Sequence, residues 1–194
     1  LFIHGIITLL SSQGGIYMET QSTLLNRHSC REFTEEQIKE NELQTILQAA
    51  NSAPVSLGNY DDVELCIIQN REMIEEIEQT VSTIMPSMGI HSAYKAPTLI
   101  FINGKRETAE KEYLPYCNAS CIAENIMLSA TDLGLGSVYL YAVPFILSQI
   151  PKLCKKLEIR NDFFPVAAVA VGNPQHQPPL RESQFEKINK KIFL

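Results

Sequence analysis

A short cationic segment carries the clearest chemistry in the sequence. Two arginines and a serine lie at every second position of the stretch Arg27-His28-Ser29-Cys30-Arg31. In an extended chain alternate side chains share one side, so Arg27, Ser29 and Arg31 would point together. Two guanidinium groups and a hydroxyl can hold a phosphate through charge-assisted hydrogen bonds. The residues alone leave two alternatives open, a phosphate site and a solvated basic segment.

A glycine pair is the second candidate. Residues 133–137 read Leu-Gly-Leu-Gly-Ser, which begins like the Gly-x-Gly-x-x-Gly fingerprint of dinucleotide sites. The third glycine is missing, because Tyr139 occupies its place, and the segment runs from helix to strand, the reverse of the Rossmann order. A helix stop followed by tight entry into a strand accounts for both glycines. That strand would present backbone groups to a flat ligand.

Hydrolytic and metal chemistry are poorly represented. The sequence contains no Gly-x-Ser-x-Gly elbow. Cys117 and Cys121 are the one close cysteine pair, and no second pair or nearby histidine completes a zinc site, so we expect no metal and interpret both as small buried hydrophobes. A Cys–His pair formed only by folding stays open. Five cysteines without repeated spacing are typical of a reducing compartment, which predicts a cytoplasmic location.

Length and composition limit the class of protein. The chain has 194 residues, of which 45% are hydrophobic and 20% charged, a balance typical of one globular domain. The formal net charge is -6 and no lysine- or arginine-rich run is present, which excludes nucleic acid as a partner. The apolar start of the chain is far shorter than the roughly 20 residues of a membrane span, so we expect no membrane partner.

The first 17 residues do not fit the rest of the chain. They begin without methionine and change from apolar to polar, yet they lack the basic region and cleavage site of a signal peptide. We expect residues 1–17 to be an upstream-reading or cloning artefact and the natural product to begin at Met18. The prediction is then a single domain over residues 18–194.

Apolar periodicity predicts four strands separated by helices. Short apolar runs bounded by turn residues are typical of buried strands, and longer runs with apolar residues three or four apart are typical of helices. The predicted strands cover residues 63–68, 98–102, 137–141 and 166–171. The predicted helices cover residues 34–53, 73–84, 119–133 and 144–157, the last disturbed by a proline. This alternation predicts an α/β or an α+β sandwich, and the pattern alone does not choose between them.

Three helix ends carry specific signals. Thr34 and Gln37 have capping-box spacing, which predicts a helix start directly after the cationic segment. Arg31 would then lie beside a helix N-terminus, where a cation opposes the helix dipole unless an anion lies between them. Asn118 is the predicted N-cap of the long central helix, and Gly134 its stop.

Four motifs, in order along the chain, resemble those of the nitroreductase family of FMN-dependent oxidoreductases. Residues 27–33 match the family's Arg-x-Ser-x-Arg-x-Phe opening, and residues 50–54 its Ala-x-x-Ala-Pro turn. Residues 125–137 are similar to the signature of its central helix, and residues 164–174 to its closing strand. The resemblance covers residues 24–174. It implies an α+β fold, a three-layer α/β/α sandwich with a central mixed sheet of four to five strands.

The resemblance also implies an FMN site. Arg27 and Ser29 would bind the phosphate and ribityl chain, with His28 adding backbone contacts. Arg31 would reach the pyrimidine end of the ring, where reduced flavin carries negative charge. The family binds FMN at the interface of a homodimer, and the residues that would complete the site along the ring edge, from the other subunit and from the tail are Tyr139, Leu140, Tyr141, Ala142, Pro54, Val55, Ser56 and Arg181.

The implied activity is hydride transfer from NADH or NADPH through flavin N5 to a small electron-poor acceptor, such as a nitroaromatic or a quinone. Backbone N–H groups of Tyr141 and Ala142 would lie near N5 and O4, and no side-chain nucleophile is needed. Two alternatives are a non-catalytic protein that stores or senses FMN, and an unrelated protein that binds another phosphate at Arg27 and Arg31. The family's Asn-x-Gln-Pro-Trp is missing from residues 55–62, where Asn59 is a candidate replacement, so the acceptor stays open.

Overall fold

The computed structural model describes residues 19–176 and 188–193, and the predicted leader at 1–17 and start at Met18 lie outside this part. Six helices and four strands make up its regular structure. Their bounds are α1 Thr20–Asn26, α2 Glu40–Asn51, β1 Val63–Ile68, α3 Arg71–Ile84, β2 Thr98–Lys105, α4 Leu114–Asp132, β3 Gly136–Leu140, α5 Ala142–Leu147, α6 Pro151–Lys156 and β4 Phe163–Gly172. The four predicted strands are confirmed within a few residues.

The strands form one sheet in the order β1-β2-β4-β3. Within the described residues all three strand pairs are antiparallel. Among the residues that the structure describes, a parallel pairing occurs only as an isolated bridge between Ser29 and Ser137. The mixed character expected of the sheet is therefore limited, in this part of the chain, to the one bridge that attaches the cationic segment.

Both faces of the sheet are buried. Along β2, Leu99 and Phe101 pack in one cluster with α3, α5 and α6, and Ile100 and Ile102 pack in the other with α2 and α4. Because successive side chains of a strand point to opposite faces, a strand buried on both sides must be apolar at nearly every position, as β2 and β4 are. The predicted α+β fold with three α/β/α layers is confirmed.

The long helix α4 lies against the middle of the sheet. Its buried stripe contains three alanines, Ala119, Ala123 and Ala130, which let the helix approach β2, β4 and α2 closely. Gly134, with φ of 75°, adopts the left-handed conformation that ends the helix, so the predicted stop is confirmed. The predicted N-cap is wrong: the helix begins at Leu114, with proline in its first turn, and Asn118 lies one turn inside.

The predicted helix start at Thr34 is also wrong. The Thr34 N–H donates to the carbonyl of Asn173 at 2.9 Å, and the Gln37 amide donates to the carbonyl of Pro97 at 2.9 Å. Pairing with distant chain segments thus replaces the local capping box. Helix α2 begins at Glu40, where the Glu42 carboxylate accepts the N–H of Lys39 at 2.8 Å.

Candidate active site

The cationic segment lies against the beginning of β3. Ser29 forms the parallel bridge with Ser137, and the Cys30 N–H donates to the Ser137 carbonyl at 2.9 Å. Gly136 makes this approach possible, because a Cβ there would lie 2.7 Å from the Cys30 Sγ. The interpretation of the glycine pair as a helix stop and a tight strand entry is confirmed. The extended segment is fixed by backbone bonds, so its alternate side chains have a defined direction.

Both arginines of the segment keep donors available to an anion. The Arg27 Nε lies 3.6 Å from a carboxylate oxygen of Glu124, a long ion pair on a partly exposed surface. The exposed Arg31 makes a 3.5 Å contact with the Ser29 carbonyl and lies 5.9 Å from the centre of the Tyr94 ring, at the outer limit of a cation–π contact. Among the described residues no carboxylate lies within ion-pair distance of Arg31.

The N-terminus of α2 takes no part in this arrangement. Because α2 begins only at Glu40, the prediction that Arg31 lies beside a helix N-terminus is wrong. Arg27 instead follows the last residue of α1, and its N–H donates to the Thr23 carbonyl at 3.0 Å. A cation is favourable at a helix C-terminus, so α1 stabilises the Arg27 charge without any bound anion.

The residues present fit a phosphate. Ser29 is exposed and lies at the alternate position between Arg27 and Arg31 in the extended segment. The neighbouring Ser137 Oγ is buried, and it has no hydrogen-bond partner among the described residues. A buried hydroxyl without a partner is rare, since leaving one unpaired costs about 1–3 kcal/mol. The neighbouring His28 Nδ1 lies 3.2 Å from the carbonyl of Asn26.

The end of β3 forms an aromatic surface beyond this segment. Leu140 is buried in the core, whereas Tyr141 is 65% exposed and stacks on Phe145 with ring centres 6.1 Å apart. Burial raises the pKa of the Tyr139 phenol above its ordinary value of 10.0, the nearby Tyr141 adds to the rise, and a hydrogen bond with Ser120 opposes it. Tyr139 therefore stays protonated and neutral near pH 7. Ala142 opens α5.

A separate turn contains the predicted site residues Pro54, Val55 and Ser56. The Ser56 N–H donates to the Asn118 Oδ1 at 2.9 Å, which ties the turn to the first half of α4. Arg27 faces Glu124 on the same helix, six residues or about 9 Å further along its axis. The structure thus brings residues 27–31 together with β3, and both this segment and the turn contact α4, at positions six residues apart.

The last two predicted site residues are Arg181 and Asn59. Arg181 lies outside the described residues. Asn59 donates from its amide to the Asp62 carboxylate at 2.6 Å within its own turn.

The Tyr94 loop is a part of the site that the sequence did not indicate. Tyr94 and Lys95 both have left-handed backbones, with φ of 59° and 57°. The loop is held by Glu78, whose carboxylate accepts the Ala93 N–H at 3.0 Å and lies 3.3 Å from the His91 Nδ1. One signal was present: Glu78 occupies a position of the apolar stripe of α3. An acid at such a position is typical of a buried hydrogen-bonding role.

The cysteine pair is placed differently from the prediction. Cys117 and Cys121 are exposed, because α4 turns Ala119, Ile122 and Ala123 toward the sheet and these two outwards. The interpretation as buried hydrophobes is wrong.

The described residues contain no cluster of three or more side chains that could hold a metal ion. Nor does any helix in that part of the chain have the length and apolar character needed to cross a membrane.

The chain belongs to the nitroreductase family, whose model matches residues 24–173. The resemblance in the four motifs is confirmed. Among curated proteins, the chain is 26% identical over 168 residues to a provisionally named NADH dehydrogenase/NAD(P)H nitroreductase of Archaeoglobus fulgidus, covering 85% of this chain and 91% of that one. It is 23% identical over 166 residues to an FMN reductase (NADPH) of Bacillus subtilis, covering 80% and 66% of the two chains.

Solved structures agree on the fold. A nitroreductase with bound FMN from Desulfitobacterium hafniense has a TM-score of 0.76 at 19% identity, covering 89% of this chain and 98% of that chain. An NADPH:FMN oxidoreductase of Vibrio harveyi complexed with NAD+ has a TM-score of 0.69 at 19% identity, covering 90% and 79%. At such identities the likeness shows the fold alone.

Proposed function

We propose that this protein is an FMN-dependent NAD(P)H oxidoreductase that reduces a small electron-poor acceptor such as a nitroaromatic or a quinone. The observation that carries the proposal is the cationic segment fixed on β3, with two arginines and one serine available to a phosphate. Family membership supports it, as do the names of relatives that use FMN and NADPH.

Residues 27–31 bind the cofactor in this proposal. Arg27 and Ser29 hold the phosphate, with His28 adding backbone contacts. Arg31 lies one alternate position further along the segment and supplies positive charge toward the ring. Its contact with Tyr94 keeps the guanidinium near the protein surface, which lowers the entropic cost of binding. Arg181 contributes from the tail.

When bound, FMN supplies the redox chemistry by taking a hydride from NAD(P)H and passing it on to the acceptor. The end of β3 positions the ring, with the backbone N–H groups of Tyr141 and Ala142 directed at one edge. The buried Leu140 anchors the strand that carries them. The proposal needs no nucleophilic side chain.

A homodimer completes the proposed site. The turn that contains Pro54, Val55 and Ser56 is bound to α4 through the hydrogen bond from Ser56 to Asn118. A second copy would bring its own turn to the site, as the family resemblance implies. A cytoplasmic location and a single domain over residues 18–194 are further parts of the proposal.

Anaerobic reduction of the purified protein tests the proposal. We expect a yellow protein, or one that becomes yellow with added FMN, that NADH or NADPH bleaches and a quinone restores. A yellow protein that neither nucleotide bleaches would favour the storage or sensing alternative. A protein that does not retain FMN at all would refute both.

Two variants test the cofactor site itself. Arg27→Ala and Arg31→Ala should each weaken FMN binding by about tenfold or more, because each removes a charge-assisted hydrogen bond. Arg71→Ala is the matched control, since Arg71 is an exposed arginine of α3 paired with Glu75. Affinities equal to that control in both variants would remove the basis of the proposal.

A further inference from the structure

A cavity lined by aromatic side chains opens beside the end of β3. It has a volume of about 520 Å³ and lies where the beginning of α4, the helix α5 and the beginning of β4 meet. Four rings line it, and we call it the aromatic cavity: Tyr113, Tyr116, Phe145 and Phe164. Its size lies within the range of small-molecule sites, about 300–1,000 Å³.

The rings of the aromatic cavity are unusually exposed. Tyr113 is 58% exposed, Tyr116 50% and Phe145 53%, and the Tyr116 and Phe164 rings meet edge to face at 6.1 Å. Contiguous exposed rings usually mark a binding surface rather than a core. Phe145 also stacks on Tyr141, the residue that follows β3, so one wall of the cavity contacts the strand end assigned above to the flavin edge.

One cation lies inside the cavity. The Arg106 guanidinium lies over the Phe164 ring, 4.9 Å from its centre. In the described part of the chain, no carboxylate lies within ion-pair distance of it. Stacking holds the planar group in place and leaves its N–H donors directed along the plane, where they can bond to ligand oxygens.

Two carboxylates oppose a fully charged ligand. Glu107 and Glu112 also line the cavity, so its side chains carry one positive and two negative charges. An anion would meet repulsion from both glutamates, whereas an uncharged polar oxygen would still accept a hydrogen bond from Arg106. The cavity therefore suits a flat, uncharged ring that carries oxygen acceptors.

We propose that the aromatic cavity binds the electron acceptor and selects uncharged quinones and nitroarenes over their carboxylated analogues, with Arg106 bonding to the acceptor oxygens. This inference rests on the proposed function, because the acceptor is the one that the proposed FMN enzyme would reduce. The aromatic walls provide the stacking surface and Arg106 provides orientation. Glu107 and Glu112 disfavour an acceptor that carries a negative charge.

The two half-reactions can be measured separately by stopped flow on the FMN-loaded protein. Arg106→Gln should lower the second-order rate constant for reoxidation by 1,4-benzoquinone about tenfold, the expected effect of losing a charge-assisted hydrogen bond. Arg106→Lys should recover little, because an ammonium cannot stack on Phe164 in the same way. FMN affinity and the rate of reduction by NADPH should stay within about twofold of the wild-type values.

The preference for uncharged acceptors can be measured independently of the Arg106 variants. Wild-type protein should reduce nitrobenzene faster than 4-nitrobenzoate. The double variant Glu107→Gln/Glu112→Gln should lower the ratio of the nitrobenzene rate to the 4-nitrobenzoate rate about fivefold or more, because two negative charges near the ligand are removed. Glu75→Gln/Glu76→Gln on α3 is the matched control for a change of two charges, and we expect it to leave the ratio unchanged.

The outcomes separate the two proposals. Loss of FMN binding or of NADPH-dependent bleaching in the wild type would refute the proposed function, whatever the variants do. With both intact, unchanged reoxidation rates in Arg106→Gln, or an unchanged ratio in the double glutamate variant, would overturn the acceptor site. Dissociation of an oligomer by Arg106→Gln or Tyr113→Ala, detected by light scattering, would overturn it as well and identify the cavity as a subunit contact.

Discussion

The buried carboxylate of Glu78 should contribute more to stability than its exposed neighbours on α3. Glu78 is only 3% exposed, and it accepts the N–H of Ala93, which is itself fully buried. Replacing Glu78 by leucine keeps a side chain of similar size but removes the acceptor. The Ala93 N–H would then be buried without a partner, and His91 would lose its contact with the Glu78 carboxylate.

The size of the effect follows from these contacts. A buried donor without an acceptor costs about 1–3 kcal/mol. The contact with the exposed His91 adds less than about 1 kcal/mol. We therefore expect Glu78→Leu to lower the free energy of unfolding by about 2–3 kcal/mol. For a chain of this length that corresponds to a fall in Tm of roughly 4–12 °C.

Urea and thermal unfolding measure this loss, with Glu75→Leu as the control. Glu75 lies on the same helix, and its exposed ion pair with Arg71 should contribute less than about 1 kcal/mol. The left-handed Tyr94 follows directly after the anchored loop, so Glu78→Leu should also weaken FMN binding through Arg31. Equal losses of stability in the two variants would refute the anchoring role of Glu78.

Three other predictions test separate contacts. Glu124→Gln should tighten FMN binding about two- to fivefold in a fluorescence titration, because its carboxylate competes with phosphate for Arg27; weaker binding would contradict this. Gly136→Ala should lower the free energy of unfolding by about 1–3 kcal/mol, since the new Cβ would lie 2.7 Å from the Cys30 Sγ, and a wild-type Tm would contradict this. Burial raises the pKa of the Cys66 thiol from 9.0 to about 11, so the folded state keeps a proton that the unfolded state loses. The free energy of unfolding should therefore decrease as pH rises from 9.0 toward about 11, less steeply in Cys66→Ala, and parallel urea titration curves for the two proteins would contradict this.

Elements defined by periodicity could be predicted from the sequence. The strand at 63–68 and the break at Pro151 were found where apolar runs and proline placed them. The stop at Gly134 also followed, since a left-handed residue after a long apolar helix favours glycine. These features depend on a few neighbouring residues, which the sequence displays directly.

Features that depend on distant contacts could not be predicted. The sequence at Thr34 predicted a helix cap, but the Thr34 N–H instead donates to the carbonyl of Asn173, a residue far along the chain. Asn118 looked like a helix cap and instead binds the turn at Ser56. The Tyr94 loop gives no local signal, because its conformation depends on a carboxylate of the preceding helix.

The bond between Asn118 and Ser56 has a consequence for a paired assembly. One rigid helix carries both the anchor of the turn and, through Glu124, the carboxylate that faces Arg27. In the proposed homodimer the turn contacts the FMN site of the other subunit, whereas Arg27 contacts the FMN site of its own subunit. A small axial slide of α4 would thus alter both centres at once, and occupancy of one could change the affinity of the other. Successive FMN equivalents should then bind with constants that differ after correction for the statistical factor of two identical sites, whereas equal corrected constants would exclude such coupling.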